Sequence, residues 1–182
     1  KRVSVLVGKG DASLMITKGA PQNMLSICSS AETFDGTIVA ISLVSKEIQR
    51  RFQEFSEKGL RVLVLAYREL TPSNVITKDH ENGMTFLGLL IFFDPLKAQI
   101  GETLQELKRL GTTLKIISGD NSLVAVSVGQ QLGLNTANIA TGPELRRISD
   151  DALRKRVNST DIFAEVEPNQ KERIINALKR SG

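Results

Sequence analysis

In this 182-residue sequence the tetrad Ser118-Gly119-Asp120-Asn121 carries side chains suited to chemistry. It follows the apolar run Leu114-Lys115-Ile116-Ile117 and precedes an apolar-periodic stretch from Ser122 to Leu132. That order predicts strand, tight loop and helix start. Such a junction is a phosphate site in outline: Gly119 lets backbone N–H groups approach a ligand, the Ser118 hydroxyl can donate to a phosphate oxygen, and a helix N-terminus favours negative charge. Asp120 would repel a phosphate unless a cation or sugar hydroxyl lay between them, which points to a metal-nucleotide. The plainer alternative is an ordinary βα loop with Asn121 or Ser122 as N-cap.

Three further positions stand out by residue type. Arg61 opens the apolar run Leu60 to Tyr67, where a guanidinium needs an anionic partner; a structural salt bridge would also serve. Lys18, in Lys18-Gly19-Ala20-Pro21, reads by itself as a solvated strand-end lysine. Lys171 reads as one charge of an amphipathic helix that also carries Arg173 and Lys179.

Composition closes off several classes. A hydrophobic fraction of 41% is ordinary for a globular protein, and a formal charge of +4 is spread among acids. With 4% aromatic residues and no recognised motif, nucleic-acid binding is not indicated. Cys28 and His80 are the sole cysteine and histidine, so no internal disulfide or common zinc site can form, and His80 sits in the polar stretch Thr77 to Gly83, which reads as a solvent loop and not as part of a catalytic triad. Cys28 sits in Met24-Leu25-Ser26-Ile27-Cys28, which reads as helical and buried. The longest apolar stretch, Phe86 to Phe93, falls well short of the roughly 20 residues that span a bilayer.

These residues need positioning elements. The expected order is a hairpin from Arg2 to Val7 and Ser13 to Thr17 with its turn at Gly8-Lys9-Gly10-Asp11. A helix follows from Pro21 to about Cys28, then a turn at Asp35-Gly36. Val44, Ile48, Phe52 and Phe55 then share one helical face up to a C-cap at Gly59. A strand from Leu60 to Tyr67, a polar loop from Thr71 to Gly83 containing Pro72, and a strand from Met84 to Phe93 complete the first half. After Asp94-Pro95 the pattern alternates: helix near Ile100 to Leu110, strand Leu114 to Ile117, helix Leu123 to Leu132, strand Asn138 to Ala140, helix Asp150 to Val157, strand Ile162 to Val166 and helix Asn169 to Lys179. Such alternation predicts parallel βαβ units.

Four segments, Lys18-Gly19-Ala20-Pro21, Asp94-Pro95-Leu96-Lys97, Ser118-Gly119-Asp120-Asn121 and Phe163-Ala164-Glu165-Val166-Glu167-Pro168-Asn169-Gln170-Lys171, resemble in order and approximate spacing the motifs of P-type cation-transporting ATPases. The resemblance implies an α/β chain in two incomplete parts. Residues 1–93 would be a portion of the nucleotide-binding domain, an antiparallel-sheet α+β structure. Residues 94–182 would be the C-terminal portion of the phosphorylation domain, a haloacid-dehalogenase-like, Rossmann-type parallel α/β structure. It implies ATP and Mg²⁺ as cofactors, with no metal site formed by protein side chains alone. Lys18 would contact the adenine and Gly19 would offer it a backbone approach; Arg61 would reach the phosphates, and Asp94 would be the hinge aspartate that approaches the nucleotide. Ser118, Gly119, Asp120 and Lys171 would hold the transferring phosphoryl group.

The sequence departs from the family pattern in places. Leu96 stands for a second hinge proline, Ser118 for threonine, and Glu165 for an arginine, a reversal of charge that leaves Glu165 without an implied role. The phosphorylated aspartate of Asp-Lys-Thr-Gly-Thr and the magnesium-binding Gly-Asp-Gly-x-Asn-Asp do not occur. The chain therefore reads as an excised cytoplasmic piece of an integral plasma- or inner-membrane pump. Its partners would be nucleotide and the transmembrane and actuator domains of the same polypeptide, with no membrane insertion of its own. Alone it would bind nucleotide weakly and without turnover. The stretches Met24 to Ser29, Gly59 to Val62 and Ile148 to Leu153 look most like the magnesium-importing bacterial subgroup, with calcium and proton pumps as neighbours. Two other readings remain open: a haloacid-dehalogenase-like phosphatase, which would need an Asp-x-Asp motif, and a non-catalytic nucleotide-binding regulatory module.

Overall fold

A computed structural model of the chain describes residues 2–9, 12–71 and 75–181. Gly10 and Asp11 of the expected hairpin turn and Pro72 of the polar loop lie outside them. The chain divides into two compact units, Lys1–Phe55 with Arg61–Phe92 and Ser56–Leu60 with Phe93–Gly182. Among the described residues no helix is long and apolar enough to cross a membrane.

The first unit is built on a six-stranded sheet. Its strands are β1 (Arg2–Lys9), β2 (Ala12–Gly19), β3 (Cys28–Glu32), β4 (Ile38–Ala40), β5 (Arg61–Leu70) and β6 (Met84–Phe92), in the order β1-β2-β5-β6-β3-β4. Every neighbouring pair is antiparallel except β3 with β6. Period-two alternation decides which face is covered. Val62, Val64 and Ala66 of β5 are buried, as are Met15 and Thr17 of β2. Met15, Val64 and Ala66 pack with Met24 of α1 (Pro21–Leu25) and Ile48 of α2 (Ile41–Glu57), so both helices cover this side. Their alternates point the other way, and there Val3, Val5 and Val7 of β1 are 58%, 51% and 50% exposed.

The loop before β6 is fastened to the hairpin. Glu81 accepts from Arg2 Nε at 2.8 Å and from the Ser4 hydroxyl at 2.6 Å, and Ser4 in turn bonds the buried Thr17 hydroxyl at 2.9 Å. The Ser4 hydroxyl and Arg2 guanidinium hold the Glu81 carboxyl below the usual carboxylate range. Arg68 donates to the carbonyls of His80 and Asn82 from the same side.

Two elements of the first unit differ from the sequence reading. The helix expected to reach Cys28 stops at Leu25, and Cys28–Glu32 forms β3. The Met24 to Cys28 run fits a helix locally, but Met84 N–H donates to Ile27 O at 2.9 Å and draws this segment into parallel pairing with β6. Strand β4, three residues beyond the Asp35-Gly36 turn, has too little pattern to declare itself. The buried position of Cys28 stands, at 8% exposure, and burial pushes its thiol up to about 11. At neutral pH it should therefore react with an exposed-thiol reagent at least a hundredfold more slowly than free cysteine, in step with the roughly hundredfold smaller thiolate fraction. Prompt labelling of the folded chain in a timed mass-spectrometric assay would contradict that placement.

The second unit contains a three-stranded parallel sheet, ordered β7 (Ile116–Ile117), β9 (Ile162–Ala164), β8 (Ile139–Thr141). Central β9 is buried on both faces, as a continuous apolar run in a parallel sheet should be. On one side Phe163 joins Leu153 and Val157 of α6 (Asp150–Val157) and Ile174 of α7 (Pro168–Arg180). On the other, Ile162 and Ala164 meet Ala125 of α4 (Ser122–Gln131). The α4 helix approaches closely because position 129 is glycine: a Cβ there would come within 2.5 Å of Ile162 Cδ1. Helix α3 (Ile100–Arg109) forms as expected but buries none of its residues, and a short α5 (Gly142–Leu145) follows β8, its N-terminus closed by a Thr141/Glu144 capping box.

Candidate functional site

In the second unit the strand pairing runs on into the loops. Ser118 N–H donates to Phe163 O at 2.8 Å, Val166 N–H to Ser118 O at 3.0 Å, and Glu165 N–H to Asp120 O at 2.8 Å. The Ser118-Gly119-Asp120 loop is thus laced to the 163–166 segment, which leads directly into the first turn of α7. Lys171 stands on that turn, its side chain exposed and its N–H on Glu167 O at 3.0 Å.

Within the loop, the Ser118 hydroxyl donates to Asp120 Oδ2 at 2.6 Å and accepts from Asp120 N–H at 3.1 Å. The Ser118 hydroxyl proton is thus already engaged by Asp120. Asn121 caps α4, its Oδ1 accepting from Val124 N–H at 3.0 Å. The capping role open in the sequence is therefore real, and it leaves Ser118, Gly119 and Asp120 outside the helix. Gly119 is exposed, and a Cβ there would stand 3.4 Å from Val166 O, at the edge of ordinary contact.

In the first unit Lys18 and Arg61 occupy neighbouring strands and share the sheet face away from the helices. Lys18 lies opposite Val3 on one side and Leu65 on the other, while Arg61 lies opposite Phe92. Four residue steps along β5 take Arg61 to Leu65, roughly 13 Å along the strand, with Leu63 between them on the same face. Gly19 follows Lys18, opposite Val64, on the buried side. Farther along, Tyr67 Oη donates to Glu32 Oε2 at 2.7 Å, and this bond raises the phenol above its usual range. The face therefore presents two cations at one end of an apolar strip. Asp94 is exposed in the segment after β6.

Three residues to which the sequence assigned no role shape the second unit. Gln170 is buried, donating to Gly142 O at 2.8 Å and accepting from Glu167 N–H at 3.0 Å. Its place as N3 of a Glu167-Pro168-Asn169-Gln170 capping box was readable. Gly142 packs its Cα against the Glu165 carbonyl, a contact with no sequence signal. Glu165 has a left-handed backbone, φ 58°, and its side chain accepts from Ser122 N–H at 3.3 Å. A groove of about 260 Å³ between α6 and α7, lined by Asp150, Arg154, Asn169, Arg173 and Arg180 among others, involves none of the candidate residues.

The family model for the P-type ATPase cytoplasmic domain N matches residues 1–99. The chain belongs to the P-type ATPase family. The matched part contains Lys18, Gly19, Arg61 and Asp94. Over its whole length the chain is similar to the Magnesium-transporting ATPase, P-type 1 of Escherichia coli (strain K12), with 32% identity over 185 residues that make up 20% of that protein. The protein of the same description in Salmonella typhimurium (strain LT2) is 32% identical over 189 residues, 21% of its length. Calcium-transporting ATPase 1 of Bacillus cereus is 29% identical over 185 residues, again 21%. The chain thus spans about a fifth of the P-type ATPases it matches.

Proposed function

We propose that this chain supplies the ATP-binding segment and part of the phosphoryl site of a P-type ATPase that moves a cation across a membrane. It would lie on the cytoplasmic side of that integral membrane protein and work with the pump's remaining domains. Magnesium is the favoured ion, since the relatives at 32% identity carry that name and the calcium-transporting relative stands at 29%.

On this reading ATP lies on the open face of the six-stranded sheet. Lys18 sits over the adenine, its ammonium attracted by the aromatic face, and the apolar side chains of Leu63 and Leu65 offer contact to the base. Arg61 lies far enough along the same face to meet the phosphates, where a guanidinium forms paired charge-assisted hydrogen bonds. Gly19 gives the backbone approach beside Lys18, and Asp94 is the hinge aspartate. In the second unit, read as haloacid-dehalogenase-like, Ser118, Gly119 and Asp120 hold the transferring phosphoryl group and Lys171 balances its charge.

Among the described residues no three His, Cys, Asp or Glu side chains cluster as a metal cage. Mg²⁺ then enters with the nucleotide's phosphates, as its coordination preference favours. The acceptor carboxylate is absent from this sequence, so the chain itself makes no aspartyl-phosphate.

The observation that carries this reading is the shared face of Lys18 and Arg61 inside the segment matched by domain N. Calorimetric titration with Mg·ATP should give saturable binding, and a parallel assay should detect no phosphate release. Sustained release would favour a haloacid-dehalogenase-type phosphatase, and no heat of binding at millimolar ATP would refute the nucleotide assignment.

A further inference from the structure

The phosphoryl reading leaves Glu165 unused, yet with Gln99 it is one of the two non-glycine residues with positive φ among the described residues. A non-glycine residue in the left-handed region carries a conformational cost that the surroundings must enforce. Here φ is 58°, and three contacts enforce it. Its N–H is held by Asp120 O at 2.8 Å, its neighbour Val166 by Ser118 O at 3.0 Å, and its carbonyl is seated against Gly142, where only glycine leaves room. This turn sends the half-buried side chain back across the paired loops, where Oε1 accepts from Ser122 N–H at 3.3 Å, the first residue of α4. Asn121 already caps the helix through Val124 N–H. Glu165 is therefore an added anchor, and it sets a carboxylate beside the loop that already contains Asp120.

We propose that Glu165 is a positioning residue for the Ser118-Gly119-Asp120 loop, and that its carboxylate fixes a negative charge there which weakens phosphate binding while fastening the loop to α4. This rests on the phosphoryl reading given above. Two consequences are separable. The hydrogen bond depends on an acceptor oxygen, which glutamine retains; the weakening depends on charge, which glutamine lacks. Asp120 lies within the loop, and Lys171 stands on the first turn of α7. Neither is altered by the substitution.

The test is titration of the 182-residue chain and its Glu165→Gln variant with inorganic phosphate, followed by the amide resonances of Ser118 and Gly119. At low salt the variant should bind about fivefold more tightly, the effect of one like charge a few ångströms away in a wet site. The difference should shrink in 0.5 M NaCl, as a screened charge effect must, with the melting temperature unchanged. Equal or weaker binding by the variant, with Ser118 and Gly119 shifting in both proteins, would overturn the proposal alone. A gain that persists undiminished at high salt would also overturn it, since packing rather than charge would then be responsible. No shift at either residue in either protein would overturn the phosphoryl assignment and this proposal with it.

Discussion

Replacing Gly142 with alanine is expected to destabilise the second unit by about 3 kcal/mol, the upper part of the range for overpacking a site that cannot yield. The added Cβ would be driven into the Glu165 carbonyl oxygen and lie 2.9 Å from Gln170 Oε1. Neither can retreat cheaply. Glu165 is tied through its N–H to Asp120 O, and Gln170 is fixed at both ends of its amide by Gly142 O and Glu167 N–H. Relief would require separating β8 from the segment that follows β9, and with it the lacing that shapes the Ser118 loop. For a unit of this size each kcal/mol moves the melting temperature by about 4–8 °C, so a fall of well over 10 °C is expected in a circular-dichroism melt. Hydrogen exchange at Val166 N–H should accelerate in parallel. Melting like that of the unsubstituted chain would mean that the two backbones do not approach so closely.

The second large effect is functional. The double substitution Lys18→Ala with Arg61→Ala should weaken ATP binding about a hundredfold, with each single change costing about tenfold. The two positions are roughly 13 Å apart along the sheet and should contribute independently, since sites beyond 7–10 Å usually add. Both side chains are exposed, so folding should survive. Arg109→Ala, in the second unit, serves as a control for the loss of positive charge. A double variant that binds as tightly as the parent would move the nucleotide off this face.

What could be read in the sequence depended on how local the deciding physics was. Pro21 at a helix start, Gly59 in the left-handed region after α2, and the apolar run Leu60 to Tyr67 act over a few residues, and each appears as helix start, helix end and strand where it was placed. Cys28 shows the opposite case. Its burial was legible from residue type, but its strand was not, because pairing with Met84 is contributed by residues more than fifty positions away. The Ser118 loop was legible as a βα junction with a capping asparagine. The hydrogen bond from the Ser118 hydroxyl to Asp120 was not, since two neighbouring polar side chains can be arranged in many ways. The contacts of Glu165 and Gly142 escaped for a common reason. Their roles arise where two loops and a helix start converge, and a carbonyl pressed on a Cα leaves no trace in composition or period.

The central claim is that nucleotide lies on the open face of the six-stranded sheet. Its most direct measurement is residue-resolved amide chemical-shift mapping of the chain during titration with Mg·ATP. The account predicts saturable shifts clustered at Lys18, Gly19, Arg61, Leu63 and Leu65, with the helix-covered side near Met24 and Ile48 unmoved. Shifts confined to that covered side, or an unchanged spectrum at millimolar ATP, would contradict it.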